Sequence, residues 1–389
     1  MVTTYLDHAA TTPTRPEAAE AMWPFLTRRY GNPSGGHALA RGAHQAVEEA
    51  RDTVAACLGC QPREVVFTSG GTEADNLAVA GVVGRRGGVA VASAVEHHAV
   101  LHAVEAVGGR FVGVRPDGRI DLDALADGLG PEVSLVSVML ANNEVGTVQP
   151  LDLVVQVARE RAPQAVVHTD AVQALSWLDV ADAAAGADLV AVSAHKLGGP
   201  QGVGTLVVRE GVDLRPLLRG GGQERERRSG THNVAGIVGM AAAIRATVEQ
   251  RQATVERVAR LRDRLAEGLL TTVPGCRESG TRATKVAATC SLLFEGIESE
   301  ALLVLLDRAG VCATAASSCA SGAMEPSHVL AAMGVPRDLA AGSLRLSLGW
   351  PSTEADVDRA LEVVPGAVAQ LRSRSAALGS AALGSATPA

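Results

Sequence analysis

Aromatic residues and lysines are both scarce in this chain. Its 389 residues include nine aromatics (three Trp, four Phe, two Tyr), and its 35 basic residues comprise 33 Arg and only two lysines, Lys196 and Lys285. So few aromatics leave the interior to Ala, Val and Leu and remove the platform on which proteins stack unpaired bases. With a net charge of −7, direct nucleic-acid binding is disfavoured, although the cluster Arg225, Arg227 and Arg228 could meet an anion. No uninterrupted apolar stretch approaches the roughly 18 residues needed to span a bilayer. The opening Met-Val-Thr-Thr-Tyr-Leu-Asp lacks the basic and apolar regions of a signal peptide. The expectation is a soluble, cytoplasmic protein with no membrane partner. Six irregularly spaced cysteines in so long a chain do not make a disulfide framework and are expected to be reduced. Any chemistry that needs a lysine amine has two candidates.

The chain is long enough for two domains, and its 47% hydrophobic share is ample for a core. Between about residues 60 and 210 short apolar runs alternate with helical stretches, which predicts an α/β fold with a mainly parallel sheet covered by helices. The expected strands are Glu64–Thr68, Val89–Ala92, Ser134–Leu140, Ala165–Thr169, Leu189–Ser193 and Gly204–Val208. Four of them end in polar residues. Ligands bind at the carboxyl ends of strands in such sheets, so Ser69–Asn76, Asn142–Glu144, Asp170–Gln173 and Ser193–Lys196 are expected to converge on one site. Helical periodicity from about Ala235 to Leu270 leads out of this domain. The runs Thr289–Phe294, Glu300–Ala309 and Ser343–Leu348 read as a smaller α+β domain. The resulting division is a large domain at 13–250, a small domain at 1–12 and 251–374, and a disordered low-complexity tail at 375–389. The tail carries Ala-Ala-Leu-Gly-Ser twice.

Ser193-Ala-His-Lys196 follows a buried strand and precedes a glycine-rich run. Partial desolvation there lowers a lysine pKa and suits the amine to a Schiff base, although taken alone a loop lysine is more often simply at the surface. Lys285, among polar neighbours, reads as an ordinary exposed residue. Asp170 lies one strand–helix–strand unit before Lys196 and suits a protonated pyridine nitrogen of pyridoxal 5'-phosphate; taken alone it serves equally as a helix cap. Gln173, one turn along the following helix, could donate to the phenolic oxygen of that ring. Gly70-Gly-Thr-Glu-Ala-Asp-Asn76 joins a strand to a helix start and could cradle a phosphate, or be merely a capped helix. Of Glu96-His97-His98, His97 is nearest a strand end and could stack on a planar ring. No metal is expected, because His98 and His102 lack a third ligand at convincing spacing. Cys57 and Cys60 read as unreactive thiols at a helix end. Cys319, in a run of small residues, suits a mobile loop that carries a thiol into a site, or a plain Ser/Ala turn, at even odds. Arg345 alternates with apolar residues on a strand and needs an anion, either a substrate carboxylate or a structural acid.

Together these segments resemble the cysteine desulfurases (NifS/IscS-like) within the class V aminotransferase group of fold type I pyridoxal-phosphate enzymes. The matching pieces are Tyr-Leu-Asp-His-Ala-Ala-Thr-Thr-Pro (5–13), Gly-Asn-Pro-Ser (31–34), Phe-Thr-Ser-Gly-Gly-Thr-Glu-Ala-Asp-Asn (67–76), Glu-His-His-Ala-Val-Leu (96–101), Asn-Asn-Glu-Val-Gly (142–146), His-Thr-Asp-Ala-Val-Gln (168–173), Ser-Ala-His-Lys (193–196), Arg-Ser-Gly-Thr (228–231), Ser-Cys-Ala-Ser-Gly-Ala-Met-Glu-Pro-Ser (318–327) and Arg-Leu-Ser-Leu-Gly (345–349). They run in family order over nearly the whole chain. Before Cys319 the wording is Ala-Ser-Ser-Cys rather than the commoner Gly-Ser-Ala-Cys.

The resemblance implies a homodimer with pyridoxal 5'-phosphate held covalently by Lys196. Asp170 then faces the ring nitrogen, Gln173 the phenolic oxygen and His97 the ring face. Gly71, Thr72, Ser193 and His195 bind the phosphate, joined by Thr231 of the other subunit, while Asn143 lies near ring and substrate and Arg345 takes the substrate carboxylate. The implied activity is removal of sulfur from L-cysteine: Lys196 moves the α-proton, Cys319 attacks the substrate sulfur, and alanine and a Cys319 persulfide result. An acceptor protein, either a cluster scaffold for iron-sulfur assembly or an enzyme of tRNA or DNA thiolation, takes the sulfur. The rival readings are a selenocysteine lyase, a class V aminotransferase, which would not need Cys319, and a non-enzymatic cofactor-binding scaffold.

Overall fold

The computed structural model describes residues 3–315 and 327–384. Seven strands form the larger sheet, in the order Val65–Thr68, Gly204–Val208, Leu189–Ser193, Val166–Asp170, Val133–Ser137, Val89–Ser93 and Arg110–Val112. Gly204–Val208 runs antiparallel to both neighbours, and the other adjacent pairs are parallel. The three central strands Leu189–Ser193, Val166–Asp170 and Val133–Ser137 are buried at every position, because helices cover both faces. That is why they show no apolar-polar alternation, being mostly Val, Leu, Ala and Ser apart from the polar end His168–Asp170 of the middle strand. The six expected strands are present, Leu189–Ser193 and Gly204–Val208 with the expected bounds and the other four with ends shifted by a residue or more; the run from Ser134 stops at Ser137 instead of Leu140. Arg110–Val112, the seventh, was not foreseen: it lies at the sheet edge, two of its three residues are exposed, and so no apolar run marks it.

A second core gathers Leu6, Phe294, Leu302, Leu344 and Leu346. It is built on an antiparallel sheet of Ser343–Ser347, Thr289–Phe294 and Cys276–Glu278, beside a parallel pair of Thr4–Tyr5 and Val311–Cys312. One 39-residue helix, Val234–Thr272, ties the two cores together. Its first half contributes Ile237, Met240 and Ile244 to the larger core, and its second half Val258, Leu261, Leu265 and Leu269 to the smaller. The boundary expected near residue 250 falls inside this helix, between those two sets. Among the described residues no helix is long and apolar enough to cross a membrane.

Two expectations need correction. The last helix, Glu354–Gly384, carries helical backbone through most of the repeated Ala-Ala-Leu-Gly-Ser, where disorder was expected, because Ala and Leu are among the strongest helix formers. Lys285 is not exposed. Its side chain is fully buried and pairs at 3.0 Å with Glu278, whose other oxygen meets Arg282 at 2.8 Å. Lys285 also forms a backbone bridge with Thr147 of the larger domain, which covers it. Polar neighbours in sequence do not reveal that cover. Lys285→Ala should therefore cost about 2–3 kcal/mol, somewhat less than a buried pair with no second cation, as read by urea denaturation. A loss near zero would show that Arg282 alone satisfies Glu278.

Candidate active site

The carboxyl ends of the larger sheet open into a cleft of about 380 Å³, lined from both cores. Of the residues expected there, Gly71, Thr72, His97, Asn143, Asp170, Gln173, Ser193, His195, Lys196 and Arg345 all line it. Strand ends supply Asp170 and Ser193 directly, and the short helical turn Ala194–Lys196 carries His195 and Lys196.

Lys196 is the centre of the cleft. Its Nζ donates to the backbone oxygens of Ala9 and Ala10, the second at 2.8 Å. Burial is the main reason that its pKa falls to about 8, with the Arg345 charge adding to the effect and Asp170 and Asp7 opposing it. The amine is thus freed near neutral pH, as a nucleophile requires. Asp170 is pushed up to about 7 chiefly by burial, with the neighbouring Asp75 carboxyl adding to it and the Val172 N–H, His168 and Lys196 opposing. Its Oδ1 accepts from Val172 N at 2.8 Å. No regular helix follows, so Asp170 caps a turn rather than a helix. Gln173 stands in that turn and donates Nε2 to the Ala9 carbonyl at 2.7 Å.

On the opposite wall, His97 caps the helix His98–Ala106, its Nδ1 accepting from Ala99 N at 3.1 Å. That bond puts the ring proton on Nε2. Burial first, then Lys196 and neighbouring histidines, lower the His97 pKa to about 4, so the ring is neutral. The helix Gly71–Arg86 points its first amides at the cleft beside Ser193. Gly71 must be glycine, because a Cβ there would come within 2.8 Å of Val172 Cγ2. The cap is Gly70, not Thr72, which leaves the Thr72 hydroxyl without a capping duty. His195 Nδ1 lies 3.2 Å from Thr11 Oγ1.

Arg345 faces the cleft from the small sheet. It donates to the Asn143 carbonyl and to Asp7 Oδ1, both at 2.8 Å, and its Nε has no partner among the described residues. Both readings of this arginine therefore have a footing: a structural acid is present, and donors remain for a ligand. The turn bearing Asn143 is held by Asn142, whose Oδ1 accepts from Glu144 N and Val145 N. Thr231 is exposed and lies outside the cleft lining. Cys319 lies outside the described residues. Cys57 and Cys60 are half-buried, and burial raises both thiols, Cys60 to about 11. Among the described residues no group of three or more His, Cys, Asp or Glu side chains is placed to hold a metal ion.

The set suits pyridoxal 5'-phosphate: a desolvated amine, a buried carboxyl on the floor, a neutral imidazole on the wall, and helix N-terminal amides with hydroxyls at one end. Sequence reasoning missed Asp75 and the Ala9 and Ala10 carbonyls, which also line the cleft, and the Asp7 pair with Arg345. All four sit inside motifs quoted above, but nothing in spacing marks a backbone carbonyl as a lysine partner.

The family model for class-V aminotransferases matches residues 4–360. An IscS-like cysteine desulfurase of Mycobacterium tuberculosis is 46% identical over 392 residues, covering 97% of this chain and 98% of its own. A solved NifS-like protein superposes with a TM-score of 0.89 at 35% identity, covering 95% of this chain and all of that one. SspA in complex with cysteine gives a TM-score of 0.77 at 31% identity, over 89% of this chain and 99% of its own. Enzymes of this family depend on pyridoxal 5'-phosphate. From the lysine at its strand end to the arginine of the small sheet, and over nearly its full length, this chain belongs to the cysteine desulfurases of the class-V aminotransferase family.

Proposed function

We propose that this chain is a pyridoxal-phosphate-dependent cysteine desulfurase, which converts L-cysteine to L-alanine and leaves the sulfur on Cys319 as a persulfide. The observation that carries the reading is the meeting of Lys196, Asp170 and Arg345 in one cleft in a chain 46% identical to an IscS-like cysteine desulfurase; the solved relative SspA, in complex with cysteine, supports the substrate.

Lys196 would hold the cofactor covalently, with Asp170 at its ring nitrogen, Gln173 at its phenolic oxygen and His97 on its ring face. Gly71, Thr72, Ser193 and His195 would take the phosphate. When bound, the cofactor supplies an electron sink for the carbanion left at the substrate α-carbon. The Lys196 amine would act as the base and acid that takes the substrate α-proton and returns it. Arg345 holds the substrate carboxylate, and Asn143, whose carbonyl already accepts from Arg345, lies beside it. The Cys319 thiolate attacks the substrate sulfur: a sulfur–sulfur bond forms, the carbon–sulfur bond breaks, and protons from the site complete alanine. Thiol plus cysteine gives persulfide plus alanine, so no outside oxidant or reductant is needed.

Thr231, exposed and away from its own cleft, serves the phosphate of a second subunit in a homodimer. The acceptor of the persulfide is a protein of iron-sulfur cluster assembly or of tRNA or DNA thiolation. The absence of a membrane-crossing helix among the described residues is in keeping with action in the cytoplasm.

Incubation with L-cysteine should yield alanine together with a one-sulfur mass increase on the peptide bearing Cys319; finding neither would sink the reading. Cys319→Ser should abolish alanine formation while the cofactor colour remains, whereas Lys196→Ala should lose the covalently bound colour itself. Cofactor uptake by the apoenzyme has a predictable pH profile. Because burial holds the Lys196 pKa below its ordinary value, at about 8, the free amine falls about tenfold per pH unit below that point. The uptake rate should rise with pH to about 8 and level off above it. A profile still climbing steeply at about pH 10, near the ordinary lysine value, would show that the amine is not desolvated.

A further inference from the structure

Asp75 has no part in the chemistry described so far, yet it sits in the cleft floor. It is 1% exposed, stands near the start of the helix Gly71–Arg86, and its Oδ1 has no hydrogen-bond partner among the described residues. His168 Nε2 lies 3.5 Å from that oxygen and likewise has no partner among them. His168 is fully buried, and its Nδ1 lies 2.8 Å from Ser137 Oγ. His168 and Asp170 are two residues apart on one strand, so both project to the same face of the sheet. A line of polar groups, Ser137, His168 and Asp75, therefore ends beside Asp170.

The charges there do not balance. A third carboxyl, Glu96, is also fully buried. Its Oε1 accepts from Met139 N at 2.6 Å and its Oε2 has no partner. Asp75 and Asp170 both act on Glu96, and the groups that favour the Asp170 charge are the Val172 N–H, His168 and Lys196. Carboxylates so close in a medium of low polarity cannot all ionise. Asp170 is best provided for, with the Val172 N–H and Lys196 facing it. Among the described residues the basic side chain within 4 Å of Asp75 is the His168 imidazole. Burial pushes Asp75 up to about 8 and His168 down to about 4, so the ring is an acceptor that a carboxylic acid can use.

We propose that Asp75 is a positioning residue kept un-ionised, its proton directed at His168 Nε2 while His168 Nδ1–H donates to Ser137, so that Asp170 is the one acid presenting its charge to the cofactor ring. The inference rests on the pyridoxal-phosphate reading of the cleft and deepens it. Asp75 acts through Asp170: by staying neutral and turning its proton away, it neither competes for the ring nitrogen nor protonates its neighbour.

The test compares holoenzymes of the wild type, Asp75→Asn and His168→Leu by infrared spectroscopy, by pH titration of the bound-cofactor absorbance, and by cofactor affinity. In the wild-type minus Asp75→Asn infrared difference, the C=O stretch of one un-ionised carboxylic acid should be lost. The absorbance midpoint of Asp75→Asn should stay within about half a pH unit of wild type, since one neutral group replaces another; removing a carboxylate would instead lower it by more, because a nearby negative charge favours the protonated form. His168→Leu, which takes away the acceptor and turns the proton toward Asp170, should weaken cofactor binding about tenfold. No lost C=O stretch, a larger midpoint shift in Asp75→Asn, or unchanged affinity in His168→Leu would each overturn the proposal. If His168→Leu does not fold, the two Asp75→Asn measurements decide. A wild-type chain that takes up no cofactor would overturn the reading of the cleft as well, whereas failure of the variants alone leaves that reading standing.

Discussion

Lys196 enters the cleft from the larger sheet and finds its hydrogen-bond partners in a different part of the chain, the backbone oxygens of Ala9 and Ala10. Carbonyl oxygens accept from an amine without supplying a full negative charge. The amine therefore bears the cost of desolvation with no carboxylate in direct hydrogen bond to it, and the Asp170 and Asp7 charges offset only part of that cost. That combination makes it a usable nucleophile near neutral pH. It also requires the segment carrying Ala9 and Ala10 to be in place, so the chemistry of the lysine depends on how the N-terminal strand is docked.

The docking is done by groups that also line the site. Leu6 sits in the smaller core, and Leu6 and His8 bond through their backbones to Cys312 and Ser347. Ala9 N donates to Ser347 Oγ at 2.9 Å, while the Tyr5 hydroxyl donates to the Asp7 and Thr11 carbonyls and braces the turn between them. From that brace, Asp7 reaches Arg345, Ala9 accepts from both Gln173 and Lys196, and Thr11 meets His195. One short segment, anchored in the small core, thus sets Lys196, Arg345 and His195. Loosening it would disturb all three together, and their effects on activity would not be additive.

The strands that carry the site were legible because buried parallel strands are apolar throughout and end abruptly in polar residues. Asp170, Ser193 and Lys196 follow from those endings, and the ordered motifs assign them their parts. What sequence could not supply was burial created by distant chain. Lys285, the other lysine, looks exposed among Gly, Thr and Arg, and only the bridge to Thr147 and the pair with Glu278 show otherwise. Arg110–Val112 and the helical repeat near the C-terminus were missed for local reasons: a short edge strand has no pattern, and low complexity in Ala and Leu is compatible with helix. Asp75 was visible as a letter in a motif but not as a fourth buried polar group beside Ser137, His168 and Asp170, since they come from three separate elements.

Arg345 shows how a structural and a functional partner coexist on one side chain. A guanidinium offers five N–H donors in a rigid plane. Asp7 and the Asn143 carbonyl engage one each, and because they approach from different elements they fix the plane as well as the charge. A lone arginine in this cleft would carry a large desolvation cost and would swing toward any acid within reach. Held by Asp7, it keeps its orientation, and the donors left over define where a carboxylate can lie. The acid that holds the arginine also limits it: an anion entering the cleft would meet only the donors that Asp7 and the Asn143 carbonyl leave free.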